Sequence, residues 1–167
     1  RAGYLRLLTG RLDTSFLTAR NSLTQRTFGP VCSGSVSLDV SNMKDGDFAG
    51  LGLLQKDYGL LAVKVVGGNK TIVMVNASSG KAIEAETVPL SQKNVYFKAA
   101  CNFDNKKDVA NFFYSLDGKT WIPVGTQLKM TYTIPQFIGY RFSLFNYATK
   151  TPGGAADFDF FHIEDKI

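Results

Sequence analysis

The sequence predicts an all-β fold, a sandwich of two antiparallel sheets, and three observations lead to it. Apolar residues recur at every second position in many short segments, which is the period of a strand with one buried face. Turn-forming pairs such as Asp-Gly and Gly-Gly separate these segments. A length of 167 residues with 44% hydrophobic and 13% aromatic residues suits one compact core. We therefore expect residues 1–167 to form a single domain.

Eleven segments carry the alternation of a strand. In chain order they span residues 4–8, 22–26, 31–40, 49–55, 60–66, 71–76, 81–87, 94–103, 110–116, 139–147 and 156–163. Turn-forming residues stand between them at 44–47, 67–69, 78–80, 117–118 and 151–154. This many short strands with such turns indicates two stacked antiparallel sheets.

The segment 110–116 also fits a helix, because Val109, Phe112 and Leu116 would lie on one helical face. We interpret it as a strand, since Phe112, Tyr114 and Leu116 alternate into an Asp-Gly turn and Trp121 follows at hairpin distance.

The two cysteines lie on the apolar side of segments 31–40 and 94–103. Neither belongs to a CxxC or Cys/His pattern, and His162 is the one histidine, so a zinc site of thiolates or imidazoles is excluded. We expect Cys32 and Cys101 to be free thiols in the core, with a disulfide between the two strands as the alternative.

The excess charge is basic and lies near the start of the sequence. Lys and Arg number 19 against 14 Asp and Glu, and only Asp13 faces the five arginines before Phe28, which are Arg1, Arg6, Arg11, Arg20 and Arg26. Their wide spacing lacks the pattern of a recognition helix, so a solvated face or an acidic partner is favoured over nucleic acid.

No apolar run approaches the roughly 18 residues that cross a bilayer, and we expect no membrane partner. Because the first residue is Arg rather than Met, we expect a fragment of a longer polypeptide.

Enzymatic chemistry has few candidates in this chain. A nucleophile elbow, a P-loop and a Gly-rich dinucleotide turn are all missing from the sequence. Three Glu and 11 Asp form no clear acid pair of the kind that hydrolyses glycosides. No cofactor is required.

A structural calcium ion is the one metal that the sequence suggests. Asp157 and Asp159 are expected on one face of the last strand, with Phe158 and Phe160 on the other. A cation beside the two carboxylates would relieve their repulsion. Solvated carboxylates are the alternative.

Aromatic and polar side chains point to a carbohydrate ligand, because Tyr rings stack on sugar faces while their hydroxyls bond to sugar oxygens. Arg141 and Tyr147 share one face of segment 139–147, and a second polar group follows segment 49–55. The candidate carbohydrate-binding residues are Gln55, Asp57, Tyr58, Arg141, Asn146 and Tyr147. The alternative is packing on the sheet surface.

Motifs along nearly the whole chain resemble a known domain. They are GYLRL at 3–7, NSLTQR at 21–26, FGP at 28–30, AGL at 49–51, DYG at 57–59, SLDGKTW at 115–121, GYRF at 139–142, FNY at 145–147 and DFDFF at 157–161. In this order and spacing they resemble the C-terminal concanavalin A-like β-sandwich of family 43 glycoside hydrolases, the β-xylosidase and arabinofuranosidase group.

The resemblance implies a jelly-roll sandwich attached to a five-bladed catalytic β-propeller, which a chain of this size does not also hold. In that family the sandwich supports the propeller, and some members lend a loop aromatic to the active-site mouth. Phe137 is our candidate for such an aromatic, with a buried Phe at a strand entry as the alternative. A bacterial source, secreted or cell-associated, is likewise implied.

The resemblance and the residues together predict a non-catalytic accessory module of a xylan-degrading glycoside hydrolase. Its expected partners are xylan or arabinoxylan oligosaccharides and the catalytic propeller. One alternative is a purely structural domain with no glycan affinity, and another is a stand-alone sandwich glycosidase.

Overall fold

Strands make up most of the computed structural model, which describes residues 1–133 and 138–167. The strands are β1 Leu5–Leu8, β2 Ser22–Arg26, β3 Val31–Asp39, β4 Asp47–Leu54, β5 Gly59–Val66, β6 Asn69–Asn76, β7 Ile83–Pro89, β8 Asn94–Asn102, β9 Val109–Ser115, β10 Ile122–Lys129, β11 Arg141–Ala148 and β12 Ala155–Glu164. Two short 3-10 helices, Phe16–Thr18 and Asp104–Lys106, lie between strands. Within the described ranges, no helix has the length and apolar character needed to span a membrane.

Two antiparallel sheets of six strands each form the sandwich. Sheet 1 has the order β1-β12-β3-β8-β9-β10, and sheet 2 has the order β2-β11-β4-β5-β6-β7. Strands that are far apart in sequence, such as β1 and β12, are therefore neighbours. The predicted fold class is confirmed.

The main core fills the space between the sheets. Large side chains at alternating positions point inward from both sheets, among them Leu38, Phe97 and Phe112 of sheet 1 and Leu51 and Phe142 of sheet 2. Burying each such side chain contributes roughly 1.5–3 kcal/mol to folding. The alternating apolar residues from which the strands were predicted are thus the residues that fill this core.

A second apolar cluster covers the outer face of sheet 2. Its members are Phe16, Tyr58, Leu60, Ala62, Val73, Val75, Ala77, Phe145 and Tyr147. Phe16 reaches this face from the segment of residues 9–21, which we call the strap. By covering part of this outer face with Phe16, the strap helps to bury a second, smaller apolar core.

Two of the predicted turns are each stabilised by the residues that form them. Val66 pairs with Asn69, so Gly67 and Gly68 alone form the loop between β5 and β6, with φ values of 58° and 81°. Two residues with positive φ make the tight hairpin turn that fits the twist of paired strands. In the Asp-Gly turn after β9, Asp117 accepts hydrogen bonds from the backbone amides of Thr120 and Lys119, which lower the pKa of this carboxyl.

The segment 110–116 is a strand, as the alternation predicted, and not a helix. The eleven predicted strands do not include β10, the edge strand that follows it, although residues at hairpin distance after the Asp-Gly turn were expected to pair with that segment. Only Val124 and Leu128 of β10 are buried, and the pairing register shifts between them at Gly125. The shift spaces the buried residues by four instead of two, which hides the strand period.

A bulge in β12 corrects the expected placement of Phe160. The register with β3 shifts between Phe158 and Phe161, so Phe158 and Phe161 face the core. Phe160 instead stacks on the ring of His162, with 4.4 Å between ring centroids. One inserted residue reverses which side chains point inward beyond it.

Cys32 and Cys101 stand directly opposite each other on β3 and β8. Both thiols are free and fully buried. The hydrogen bond between them lowers the pKa of Cys32 to about 7 and raises that of Cys101.

Candidate functional site

The six predicted carbohydrate-binding residues lie at two ends of sheet 2. Arg141 of β11 pairs with Leu54 of β4, close to Gln55 and Asp57, whereas Tyr147 pairs with Phe48 at the other end. Six residues of extended strand separate the two ends by about 20 Å. The structure therefore does not bring the six residues into one surface.

Gln55 and Asp57 hold the connection between β10 and β11. The Thr133 hydroxyl donates to Gln55 Oε1 at 2.8 Å, and the Thr131 hydroxyl donates to Asp57 Oδ2 at 3.0 Å. The Tyr140 hydroxyl donates to the Asp57 carbonyl oxygen from the far side of this connection. Gln55 is fully buried, so it acts here as an anchor for the chain. The predicted loop aromatic Phe137 belongs to this connection but lies outside the described residues.

The rings of Tyr58 and Tyr147 are covered by other aromatic rings. Tyr58 contacts Phe16 with 5.1 Å between ring centroids, and Tyr147 stacks nearly parallel on Phe48 at the same separation. Each tyrosine is 7% exposed, and burial raises the pKa of both hydroxyls. Neither ring has a free face on which a sugar could stack.

Arg141 also makes contacts within the protein. Its Nε donates to Thr24 Oγ1 at 2.8 Å, and Nη2 donates to the Thr24 carbonyl oxygen at 3.3 Å. These bonds tie β11 to the edge strand β2.

A pocket of about 380 Å³ lies between the strap and the end of β11, and we call it the strap pocket. It contains two of the predicted residues, Asn146 and Tyr147. Its described lining is Leu8, Thr9, Gly10, Arg11, Asp13, Arg20, Asn21, Asn146 and Tyr147. Arg11, Arg20 and Asn21 were not among the predicted site residues, although the early series of arginines indicated a cationic surface.

Contacts with β11 and with the outer face of sheet 2 hold the strap in place beside this pocket. Leu12 forms a parallel bridge with Ala148, and the Asp13 amide donates to the Ala148 carbonyl oxygen at 2.8 Å. Arg11 Nη2 donates to Asp13 Oδ1 at 2.7 Å. Phe16 then anchors the middle of the strap on sheet 2. The pocket is therefore formed before any ligand arrives.

Asn146 of β11 lies beside the strap pocket and keeps its side chain inside the protein. Its side chain is fully buried and Nδ2 donates to the Leu7 carbonyl oxygen at 2.7 Å. Its Oδ1 has no hydrogen-bond partner within 1–133 and 138–167. Buried polar atoms almost always have a partner, so this oxygen is an exception among the described residues.

A second concave surface lies beside the connection between β10 and β11, and we call it the loop-end surface. Its described residues are Arg26, Thr27, Phe28, Gly29, Phe103, Tyr132, Ile138, Gly139 and Tyr140. Tyr132 is 72% exposed, and Phe28 and Ile138 are exposed beside it. Large apolar side chains exposed together often mark a protein interface.

The predicted calcium ligands have different surroundings. Asp157 is buried and accepts two hydrogen bonds from Arg6, at 2.7 and 2.8 Å, and one from Arg1 at 3.3 Å. Its neighbour across the sheet is Asp39, which Arg1 also contacts, at 2.6 Å. Asp159 is exposed. Arg1 and Arg6 thus place positive charge beside Asp157, where the sequence suggested a calcium ion.

These contacts set the pKa values of the two buried carboxyls. The Arg6 hydrogen bonds hold the pKa of Asp157 below its usual range. Burial alone would raise the pKa of Asp39, but hydrogen bonds from Ser41 and Arg1 outweigh it and lower the value to about 2. Within the described ranges, no group of three or more His, Cys, Asp or Glu side chains could hold a metal ion.

Comparison with known proteins gives one family. The model of the β-xylosidase C-terminal concanavalin A-like domain matches residues 1–164. A search of curated protein sequences gives no match.

Solved structures of family 43 glycoside hydrolases are similar to the chain over nearly its whole length. A bifunctional GH43-CE protein from Bacteroides eggerthii is 63% identical with a TM-score of 0.98, and the match covers 100% of this chain and 22% of that one. An engineered enzyme described as having both endo-xylanase and exo-arabinofuranosidase activity is 29% identical with a TM-score of 0.89, over 96% and 34% of the two chains. The BlXynB protein from Bacillus licheniformis is 26% identical with a TM-score of 0.78, over 98% and 33%. The chain spans between about a fifth and a third of the length of these structures.

Proposed function

Since the chain belongs to the family of C-terminal concanavalin A-like domains of β-xylosidases, we propose that it is a non-catalytic accessory module of a xylan-degrading glycoside hydrolase. In this proposal it packs on the catalytic domain of a longer chain and binds xylan or arabinoxylan close to the active site. Holding substrate near a linked active site raises its local concentration.

The loop-end surface carries the supporting role. Phe28, Tyr132 and Ile138 expose apolar side chains together on the loop-end surface. The related solved chains are about three or more times longer than this one, and a large partner domain would cover such a surface. We assign this surface to the catalytic domain, and we keep Phe137 as the candidate loop aromatic of that contact.

The carboxylates favour a non-catalytic role. Glycoside hydrolysis needs two carboxyl groups about 5–10 Å apart across a cleft. Asp13 is the carboxylate among the described residues of the strap pocket, and Arg11 neutralises it. Asp39 and Asp157 are paired with arginines on the outer face of sheet 1. These pairings suit structure rather than acid–base chemistry.

Binding and hydrolysis measurements on the 167-residue chain test this proposal. In affinity electrophoresis, xylan and arabinoxylan should retard the chain and cellulose should not, and the chain should release no product from an aryl xyloside. If no glycan retards it, the purely structural alternative is favoured. If it cleaves the xyloside unaided, it is a glycosidase.

Variants in the parent enzyme test the supporting role separately. Tyr132→Ser should lower the melting temperature of the parent and leave that of the isolated chain unchanged, because Tyr132 is already exposed in the chain. Leu116→Ser, which changes an exposed leucine at the β9–β10 turn, is the matched control. Equal melting temperatures for the two parent variants would contradict docking at this surface.

A further inference from the structure

We propose that Cys32 and Cys101 are the site of a stabilising disulfide bond, which forms when the chain folds in an oxidising environment and then joins β3 to β8. The two thiols are free in this structure, so the disulfide is a second covalent state of the same pair. The bond lies in the core between the sheets. It would therefore form whether or not the chain binds a glycan.

The backbone places the two sulfur atoms side by side. Cys32 and Cys101 are paired directly across the two strands, so their side chains point to the same face of sheet 1. Opposite residues of an antiparallel pair have Cα atoms roughly 4.5–5.5 Å apart, within the range of about 4.4–6.8 Å that disulfides span. The two thiols already contact each other through a hydrogen bond. Joining the sulfurs therefore requires no change in the strand register.

Burial decides when the bond can form. Both cysteines are fully buried, and β3 and β8 each have a neighbouring strand on both sides. An oxidant therefore reaches the thiols only before sheet 1 is complete. Disulfides of this kind are typical of proteins that fold in oxidising compartments.

The reaction is thiol–disulfide exchange, with a small disulfide such as glutathione disulfide as the oxidant. One cysteine thiolate attacks the oxidant, forms a mixed disulfide and releases one glutathione thiolate. The second cysteine thiolate then attacks the mixed disulfide, closes the bond between the two cysteines and releases the other glutathione. The two cysteines lose two electrons, and their two protons pass to the two glutathione molecules that leave.

The bond would close a long loop. Residues 33–100 lie between the two cysteines and include β4, β5, β6 and β7, which belong to sheet 2. A cross-link stabilises a protein mainly by restricting its unfolded chain, and this effect increases with loop length. For a loop of roughly 70 residues in a chain of this size, the melting temperature should rise by about 5–15 °C.

The pair also adjoins the loop-end surface. The Phe28 amide donates to Cys32 Sγ at 3.5 Å. The Phe103 amide donates to the Pro30 carbonyl oxygen at 2.8 Å, two residues beyond the cysteines on both strands. Phe28 and Phe103 both line the loop-end surface. A disulfide would therefore fasten the strand ends that carry this surface.

Refolding the 167-residue chain from guanidinium under two redox conditions tests the proposal. One sample refolds in a mixture of reduced and oxidised glutathione, and the other refolds in dithiothreitol. After denaturation, iodoacetamide should label no cysteine in the first sample and two in the second, as measured by intact mass. The first sample should be monomeric and should melt about 5–15 °C higher. Glutathione disulfide added to the folded chain after dithiothreitol is removed should leave both thiols free, because they are buried.

The double variant Cys32→Ala/Cys101→Ala is the control. It has no thiol, so its melting temperature should be the same under the two conditions. In the oxidised wild type, hydrogen exchange at the Phe103 amide should slow more than exchange at the Val40 amide. The Val40 amide donates to the Lys93 carbonyl oxygen at the far end of the same strand pair.

Three outcomes would overturn the proposal. The first is two labelled cysteines after refolding in the glutathione mixture. The second is a product that consists of glutathione adducts or of disulfide-linked dimers. The third is a bonded monomer that melts no higher than the reduced chain.

Discussion

Phe16→Ala tests whether the strap is fixed by a single ring. Phe16 is 2% exposed, and its ring lies 4.7 Å from the ring of Phe145 and 5.1 Å from that of Tyr58, between centroids. It occupies the space above Gly52, where an added Cβ would lie 2.6 Å from Phe16 Cζ. The ring therefore fills a slot that the absence of a side chain at Gly52 leaves open.

Removing this ring should cost about 3–5 kcal/mol of unfolding free energy, the usual range for a buried Phe replaced by Ala. For a chain of this length the melting temperature should fall by roughly 6–20 °C. Urea denaturation measures the first effect and differential scanning calorimetry measures the second.

Leu17→Ala is the control, since Leu17 is the next residue in the same 3-10 helix but is 47% exposed. Such surface changes usually stay within about 0.5 kcal/mol. Hydrogen exchange at the Asp13 amide, which donates to Ala148, should accelerate in Phe16→Ala and not in Leu17→Ala. Equal stability and equal exchange in the two variants would refute the role given to Phe16.

Three further predictions concern groups on sheet 1. Arg6 holds the pKa of Asp157 below 3.8, so the folded state gains stability above that pH and loses it as the carboxylate is protonated. The melting temperatures of wild type and Asp157→Asn should therefore differ most at neutral pH and converge towards pH 2. A constant difference would contradict the pairing. Because arginines neutralise Asp157, a chelator should leave the melting temperature unchanged, and a drop would point to a bound cation. The buried thiols of Cys32 and Cys101 should react with Ellman's reagent after unfolding in guanidinium and not before; fast reaction of the native chain would contradict their burial.

The strands could be predicted wherever one face of the sheet is buried throughout. The segments that became β3 and β8 alternate over their whole length, and Val36 and Phe97 are fully buried as their positions required. The alternation fails where the pairing register shifts. Gly125 in β10 and the residues between Phe158 and Phe161 in β12 illustrate this. An isolated glycine is only a weak sign of a bulge, and the inserted residue in β12 has no such sign.

The candidate site could be predicted only in part, since it depends on contacts between distant segments. The sequence placed Tyr147 on the correct face of β11, yet its ring is covered by Phe48, about 100 residues earlier. It also gave no means of telling Arg6, which pairs with Asp157, from Arg20, which has no ion-pair partner among the described residues. Ion pairs between residues this far apart in sequence become visible only when the fold brings the strands together.

Chemical-shift mapping of the ¹⁵N-labelled chain during titration with xylan oligosaccharides tests the proposed role most directly. We expect one contiguous group of backbone amides to shift in a saturable way, and the remaining amides to stay in place. A titration in which no amide shifts in a saturable way would contradict glycan binding by this chain.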